Sequence, residues 1–161
     1  MRLPALSRQT QEAQPANGWY REPDQPLAAL RTLIIDDNVD AAESLAVLLQ
    51  ALGLEVRTAY DGPSGLVLAA DYKPEVVLLD IGLPRMDGYE VARRLRNGPD
   101  GDGVLLIALS GYGQDEDRRR SEEAGFDHHL VKPASTDVLM DLFRGPGHSS
   151  CPESPGVPAR R

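Results

Sequence analysis

The residues best equipped for chemistry are two adjacent acids, Asp36 and Asp37, a third acid, Asp80, a hydroxyl, Ser110, and an amine, Lys132, followed by Pro133. Each ends, or directly follows, a short largely apolar run: TLII before Asp36, EVVLL before Asp80, VLLIAL before Ser110, HHLV before Lys132. A charge set beside a packed core costs free energy unless a partner compensates it. Singly these are weak signals, because acidic pairs open helices, serine follows strands and Lys-Pro marks turns. Jointly they are stronger: if the runs are parallel strands, all four ends lie on one edge, and three carboxylates, a hydroxyl and an ammonium converge from distant parts of the chain. Crowded carboxylates repel, and a hard divalent cation with oxygen ligands relieves that. Mg2+ fits best, since it keeps several waters, needs one or two direct carboxylates and shares its remaining positions with phosphate oxygens. No His/Cys ligand set favours zinc. A carboxylate attacking phosphorus forms an acyl phosphate, a transfer that needs charge neutralisation on the equatorial oxygens. The cation and Lys132 supply it, and Ser110 donates a hydrogen bond that links phosphate to the position of the loop after the fourth strand.

Short apolar runs alternating with helix-period stretches position these residues, a pattern that predicts repeated βαβ units and a parallel sheet. The predicted strands are Thr32–Asp36, Glu55–Ala59, Glu75–Asp80, Val104–Leu109 and Asp127–Val131. The predicted helices are Val39–Leu52, Gly62–Asp71, Gly88–Arg96, Gln114–Ala124 and Ser135–Phe143. The first helix places Val39, Ala42, Leu45, Ala46, Leu49 and Leu52 on one face, and Gly53 stops it. Right-handed crossovers make such a chain a doubly wound α/β/α sandwich with its ligand crevice at the carboxyl ends of the strands. The folded domain is predicted over residues 31–144, after a linker-like extension of residues 1–30 rich in Pro, Gln and Ala and before a Pro/Gly-rich tail of residues 145–161.

Composition narrows the function classes. With 161 residues the chain is the size of one domain, and a net charge of −8 opposes attraction to nucleic acid or an anionic membrane. No apolar stretch is long enough for a membrane helix, and no signal-peptide core follows Met1, so a soluble cytoplasmic protein is expected. The single cysteine, Cys151, excludes a disulfide framework. The run Arg118–Arg120, flanked by acids, reads as a solvated helix face.

Read together, IIDDNVDAAESL, VVLLDIGLPRMDGYEVARRLR, IALSGYG and HHLVKPAS resemble the receiver domain of bacterial two-component response regulators and hybrid histidine kinases, over about Thr32 to Phe143. The resemblance implies a flavodoxin-like fold, a five-stranded parallel sheet in the order 2-1-3-4-5 with helices on both faces. It implies Asp80 as the phosphoacceptor, with Mg2+ bound by Asp37, Asp80 and the Gly82 backbone carbonyl, Asp36 assisting through water. Lys132 and Ser110 would bind the phosphoryl group, Ser110 would be the switch hydroxyl, and Lys132-Pro133 would be cis. Pro84 and Gly88 would shape the loop leaving the acceptor.

One departure concerns the switch aromatic, a Tyr or Phe in the family, where this chain has His129. A polar ring that titrates near neutral pH would make the switch weaker or pH-sensitive; the other reading of His129 is an edge-strand histidine with no switching role. Tyr112, two residues after Ser110, would shield the site or replace the missing ring. The segment MRLPAL resembles the last strand of a sensor-kinase ATP-binding domain, which suggests the C-terminal end of a hybrid kinase.

The resulting expectation is a phosphorelay receiver that takes its phosphoryl group from a histidine kinase or histidine phosphotransfer protein. It would signal to an unidentified protein partner as a monomer or phosphorylation-dependent dimer, without turning over a substrate of its own. A receiver-like adaptor that is never phosphorylated competes with it. So, more distantly, does an Mg2+-dependent aspartyl-phosphate phosphohydrolase, although such enzymes carry their nucleophile and second acid one residue apart and add a cap. A nucleotide or flavin binder is the weakest reading, because the acidic loop after the first strand would repel phosphate.

Overall fold

The computed structural model describes Leu27, residues 29–111 and residues 115–144. The predicted extension up to residue 26 and the predicted tail over residues 145–161 lie outside the described residues. Five strands, β1 (Arg31–Ile35), β2 (Glu55–Ala59), β3 (Val76–Asp80), β4 (Leu105–Ser110) and β5 (His128–Val131), alternate with five helices. The helices are α1 (Val39–Ala51), α2 (Gly62–Tyr72), α3 (Gly88–Arg96), α4 (Asp115–Ala124) and α5 (Thr136–Arg144), with a short 3-10 turn at Gly101–Gly103. The sheet is wholly parallel, in the order β2-β1-β3-β4-β5. This is the doubly wound α/β architecture and strand order expected from the sequence.

Alternation within the strands sorts the core into two layers. Ile34, Val56, Val76, Leu78, Leu105 and Ile107 point to one face, where Ala46 and Leu49 of α1 and Leu139 and Phe143 of α5 cover them. Leu33, Ile35, Val77, Leu79, Leu106 and Ala108 point to the other, under Ala69 of α2, Val91 and Ala92 of α3 and Ala124 of α4. Strands β3 and β4 are buried along their whole length because helices lie on both sides of them, as a parallel sheet requires. That burial makes their polar ends, Asp80 and Ser110, costly residues that need partners.

Helix starts follow local chemistry. The side chains of Asn38, Asp61 and Asp87 accept the N–H groups of Ala41, Ser64 and Glu90, capping α1, α2 and α3. Element bounds match the sequence expectation to within about one residue among the described residues. Ser110 belongs to β4 rather than following it, and Gln114 lies outside the described residues. Two residues assigned to the buried face of α1 are exposed, Val39 at 49% and Leu52 at 46%. The reason is length: a helix of 13 residues spans roughly 20 Å and overhangs the roughly 17 Å of a five-residue strand at both ends. On the linker side of residue 31, Leu30 is 1% exposed and packs with Leu27 against the α1/α5 layer.

Gly88 has a spatial reason to be glycine. A Cβ there would sit 2.5 Å from Ile81 Cα and 2.6 Å from the Asp80 carbonyl oxygen, both backbone atoms that cannot rotate away. Gly88→Ala is therefore expected to cost about 1–3 kcal/mol of stability in urea unfolding. It is also expected to displace the loop from Asp80 to Asp87, visible as amide shift changes at Ile81 and Gly82 in NMR. An unchanged unfolding midpoint would show that α3 and this loop do not meet as closely as this.

Candidate functional site

At the carboxyl end of β1, Asp36 is 3% exposed. Its Oδ1 accepts the Asn38 N–H at 2.9 Å and its Oδ2 accepts Lys132 Nζ at 2.8 Å, so the start of α1 and the end of β5 both hold it. Asp37, next in the chain, points to solvent. At the end of β3, Asp80 is 8% exposed; Oδ1 accepts the Gly82 N–H at 2.9 Å, and Oδ2 lies 3.3 Å from Lys132 Nζ. One lysine therefore sits between two buried carboxylates. Lys132 is carried there by the last rung between β4 and β5, its N–H donating to the Ser110 carbonyl at 2.7 Å, and the Lys132-Pro133 bond is cis.

The electrostatics follow from this crowding. Burial pushes the Asp80 carboxyl above the usual carboxylate range, and the Asp36 charge adds to the rise; the Gly82 N–H and the Lys132 charge oppose it without cancelling it. For Lys132 burial acts against the charged form, yet the hydrogen bond and field of Asp36 and the field of Asp80 outweigh it and hold the ammonium above the ordinary lysine range. Asp36, Asp37 and Asp80 each offer an oxygen within 4.8 Å of the others. The donor set is all hard oxygen, partly open through Asp37, and more negative than Lys132 alone neutralises. It fits a small divalent cation such as Mg2+ and gives a soft metal nothing to bind.

Ser110, 3% exposed, ends β4 on the same edge of the sheet. Its Oγ lies 2.7 Å from His129 Nε2, and His129 Nδ1 lies 3.2 Å from Ser121 Oγ on α4, which in turn donates to the Asp117 carbonyl at 2.8 Å. The structure thus brings Asp36, Asp37, Asp80, Gly82, Ser110 and Lys132 to one sheet edge, with His129 beside Ser110. Tyr112 lies outside the described residues. Sequence reasoning missed Ser121, having taken α4 as a solvated charged face. A signal was there: in DEDRRRSEEA the only uncharged residues are Ser121 and Ala124, three apart, and these two are the buried residues of the helix. Among the described residues, no helix is long and apolar enough to cross a membrane.

The geometry has close counterparts. The family model described as response regulator receiver domain matches residues 32–144. The response regulator MprA of Mycobacterium sp. (strain KMS) is 35% identical over 131 residues, which are 81% of this chain and 56% of MprA; the chain thus spans little more than half of that relative. The chemotaxis protein CheY4 of Vibrio cholerae superposes with a TM-score of 0.69 at 26% identity, covering 73% of this chain and 98% of CheY4. The receiver domain of the sensor histidine kinase PA1611 of Pseudomonas aeruginosa, solved with a magnesium ion coordinated in its active site cleft, superposes with a TM-score of 0.67 at 28% identity, covering 73% of this chain and 96% of that domain. With the fold, the strand order and the family match in agreement, this chain belongs to the response regulator receiver domain family of two-component signalling.

Proposed function

We propose that this receiver takes a phosphoryl group onto Asp80 from a phosphohistidine of a histidine kinase or histidine phosphotransfer protein, and signals through protein contacts without turning over a substrate of its own. The carrying observation is the position of Lys132 Nζ, within 2.8 Å of Asp36 and 3.3 Å of Asp80. A phosphoryl group built on Asp80 falls within its reach with little movement of the stem. An Asp80 oxygen attacks phosphorus, the P–N bond to the donor imidazole breaks, and the bond pair leaves with that ring. Lys132 neutralises the equatorial oxygens, and Ser110 donates to one of them. Mg2+, held by Asp37, Asp80 and the Gly82 carbonyl with Asp36 assisting, supplies further charge neutralisation when bound; the magnesium in the PA1611 receiver domain supports this assignment. The Gly82 N–H, already donating to Asp80 Oδ1, keeps the acceptor carboxylate oriented.

A groove of about 440 Å3 opens beside the acceptor, lined by Asp36, Leu45, Leu48, Lys132, Pro133 and Ala134. It supports docking of the phosphohistidine partner between α1 and the segment after β5, where exposed Val47 and Leu48 add apolar area.

Intact-mass measurement after incubation with acetyl phosphate tests the reading. One phosphoryl adduct is expected with Mg2+ and none after chelation or with Asp80→Asn, since an amide oxygen is a poor nucleophile. An adduct that persists in Asp80→Asn would move the acceptor elsewhere. No adduct from either acetyl phosphate or a phosphorylated histidine donor would favour the unphosphorylated adaptor.

A further inference from the structure

We propose that His129 is a positioning residue that holds the Ser110 proton away from the acceptor, and that a phosphoryl group on Asp80 draws a proton onto His129 to release it. This inference rests on the acceptor role of Asp80 and adds a protonation step to it.

Five atoms in a chain, the Asp117 carbonyl oxygen, Ser121 Oγ, Nδ1 and Nε2 of His129, and Ser110 Oγ, decide where the protons lie. A carbonyl oxygen only accepts, so the proton of Ser121 Oγ lies on its 2.8 Å contact to the Asp117 carbonyl. At the 3.2 Å contact between Ser121 Oγ and His129 Nδ1, the serine must then accept and Nδ1 must donate. A neutral His129 with its proton on Nδ1 has a bare Nε2, and Nε2 accepts at its 2.7 Å contact with Ser110. The one proton of Ser110 is thereby turned toward His129 and is not offered to the acceptor. An aromatic ring lacking nitrogen could not hold it this way.

Two rearrangements free that proton. Moving the imidazole proton from Nδ1 to Nε2 sets a bare Nδ1 against a lone pair of Ser121, which is unfavourable while Ser121 donates to Asp117. Adding a proton from solvent to Nε2 keeps these contacts satisfied: Nδ1–H donates to Ser121, Nε2–H donates to Ser110, and Ser110 donates to the phosphoryl group. The imidazolium also brings positive charge to the side of the site where phosphate adds negative charge. Phosphoryl binding and His129 protonation then favour each other, and by linkage the coupling is reciprocal.

The surroundings permit this. From α4 the ring faces Ser121 in a cavity also lined by Arg118 and Glu122, one charge of each sign, while Asp117 takes part through its carbonyl. Asp127 and His128, just before it in the chain, line the same cavity, and Lys132 follows three residues later. The α5 residues lining the cavity, Val138 and Leu142, are uncharged, as is Ala108, its register partner on β4. Tyr89 of α3 lies against Ser121 under the Arg120 guanidinium, 4.4 Å from its ring centroid.

The test is nitrogen NMR of the full chain labelled at histidine, titrated with pH before and after adding beryllofluoride with Mg2+ as the phosphoryl analogue; His129→Phe assigns the signal. The expected result in the free protein is the Nδ1–H tautomer. With beryllofluoride the His129 pKa is expected to rise by about one unit, which by linkage is about tenfold tighter beryllofluoride binding below both pKa values than above them. His129→Phe should bind beryllofluoride without that pH dependence. An Nε2–H tautomer in the free protein overturns the inference whether or not Asp80 accepts phosphate. Beryllofluoride binding with no shift at His129 overturns the inference alone, and failure to bind at any pH overturns the acceptor reading together with it.

Discussion

Lys132→Met is expected to slow phosphoryl transfer from acetyl phosphate to Asp80 by about 10²–10³-fold, the scale seen when one preorganised donor to a developing oxyanion is removed. Methionine keeps the stem but takes away the charge that stands between Asp36 and Asp80. Two buried carboxylates are then left facing one another with no cation between them. In metal-free buffer at neutral pH the folded state is expected to lose about 2–3 kcal/mol, toward the low end for breaking a buried pair because Lys132 is 30% exposed at its side chain.

The pH dependence has a definite sign. Burial already places the Asp80 pKa above its unfolded value, so the folded state binds the extra proton. The stability tied to that proton is present in acid and lost as pH rises through the window between the two values. Without Lys132 the folded pKa rises further and the window widens upward. The deficit of Lys132→Met is therefore expected to grow with pH through the carboxylate range and to shrink in acid. Urea unfolding at several pH values, paired with time-resolved intact mass, measures both effects; a rate within threefold of wild type would remove Lys132 from the phosphoryl site.

What the sequence revealed and what it hid divide along a physical line. Strands β1, β3 and β4 were legible because burial on both faces forces long apolar runs, and a polar residue at the end of such a run stands out. Asp36, Asp80 and Ser110 are marked in this way, whereas Lys132 follows the half-exposed HHLV of β5 and is marked by the Lys-Pro pair; the parallel topology brings all four ends together. Val39 and Leu52 were misplaced because helical periodicity says which side of a helix is apolar but not how far the sheet beneath it extends. Ser121 was hidden because α4 carries so much charge that its narrow buried stripe is two small residues wide. The link from Ser110 through His129 to Ser121 joins β4, β5 and α4 at sequence separations of 19 and 8. Pairing of that kind depends on rotamers and strand register, which no spacing rule reports.

Arg96 was likewise read only as the end of a helix, and its replacement carries the largest stability effect expected in this chain. From the C-terminus of α3 its guanidinium donates to the Gly125 carbonyl at 3.1 and 2.6 Å, to the Val104 carbonyl at 2.9 Å, to the Gly101 carbonyl, and to Asp127 Oδ2 at 3.0 Å. Asp127 Oδ2 also accepts the Leu106 N–H at 2.8 Å. One planar donor fork thus ties together the turn before β4, the turn before β5 and the end of α3, at the edge of the sheet opposite the acceptor. Both charged partners are largely buried, with side-chain exposures of 16% and 10%. Arg96→Met takes the guanidinium charge from Asp127 and this donor from three carbonyls, and is expected to cost about 3–4 kcal/mol at neutral pH. Burial already raises the Asp127 pKa, against the Leu106 hydrogen bond and the Arg96 charge; removing Arg96 raises it further. The variant should therefore recover part of its deficit as pH falls through the Asp127 titration, and Asp127→Asn added to Arg96→Met should recover part of it at neutral pH, since an amide carries no charge to strand. Because the clamp stands at the far edge from Asp80, phosphoryl transfer per folded molecule should be unchanged. A loss below about 1 kcal/mol would mean that the network is replaced by water at little cost. A large loss of transfer rate with little loss of stability would mean instead that this edge is coupled to the acceptor site.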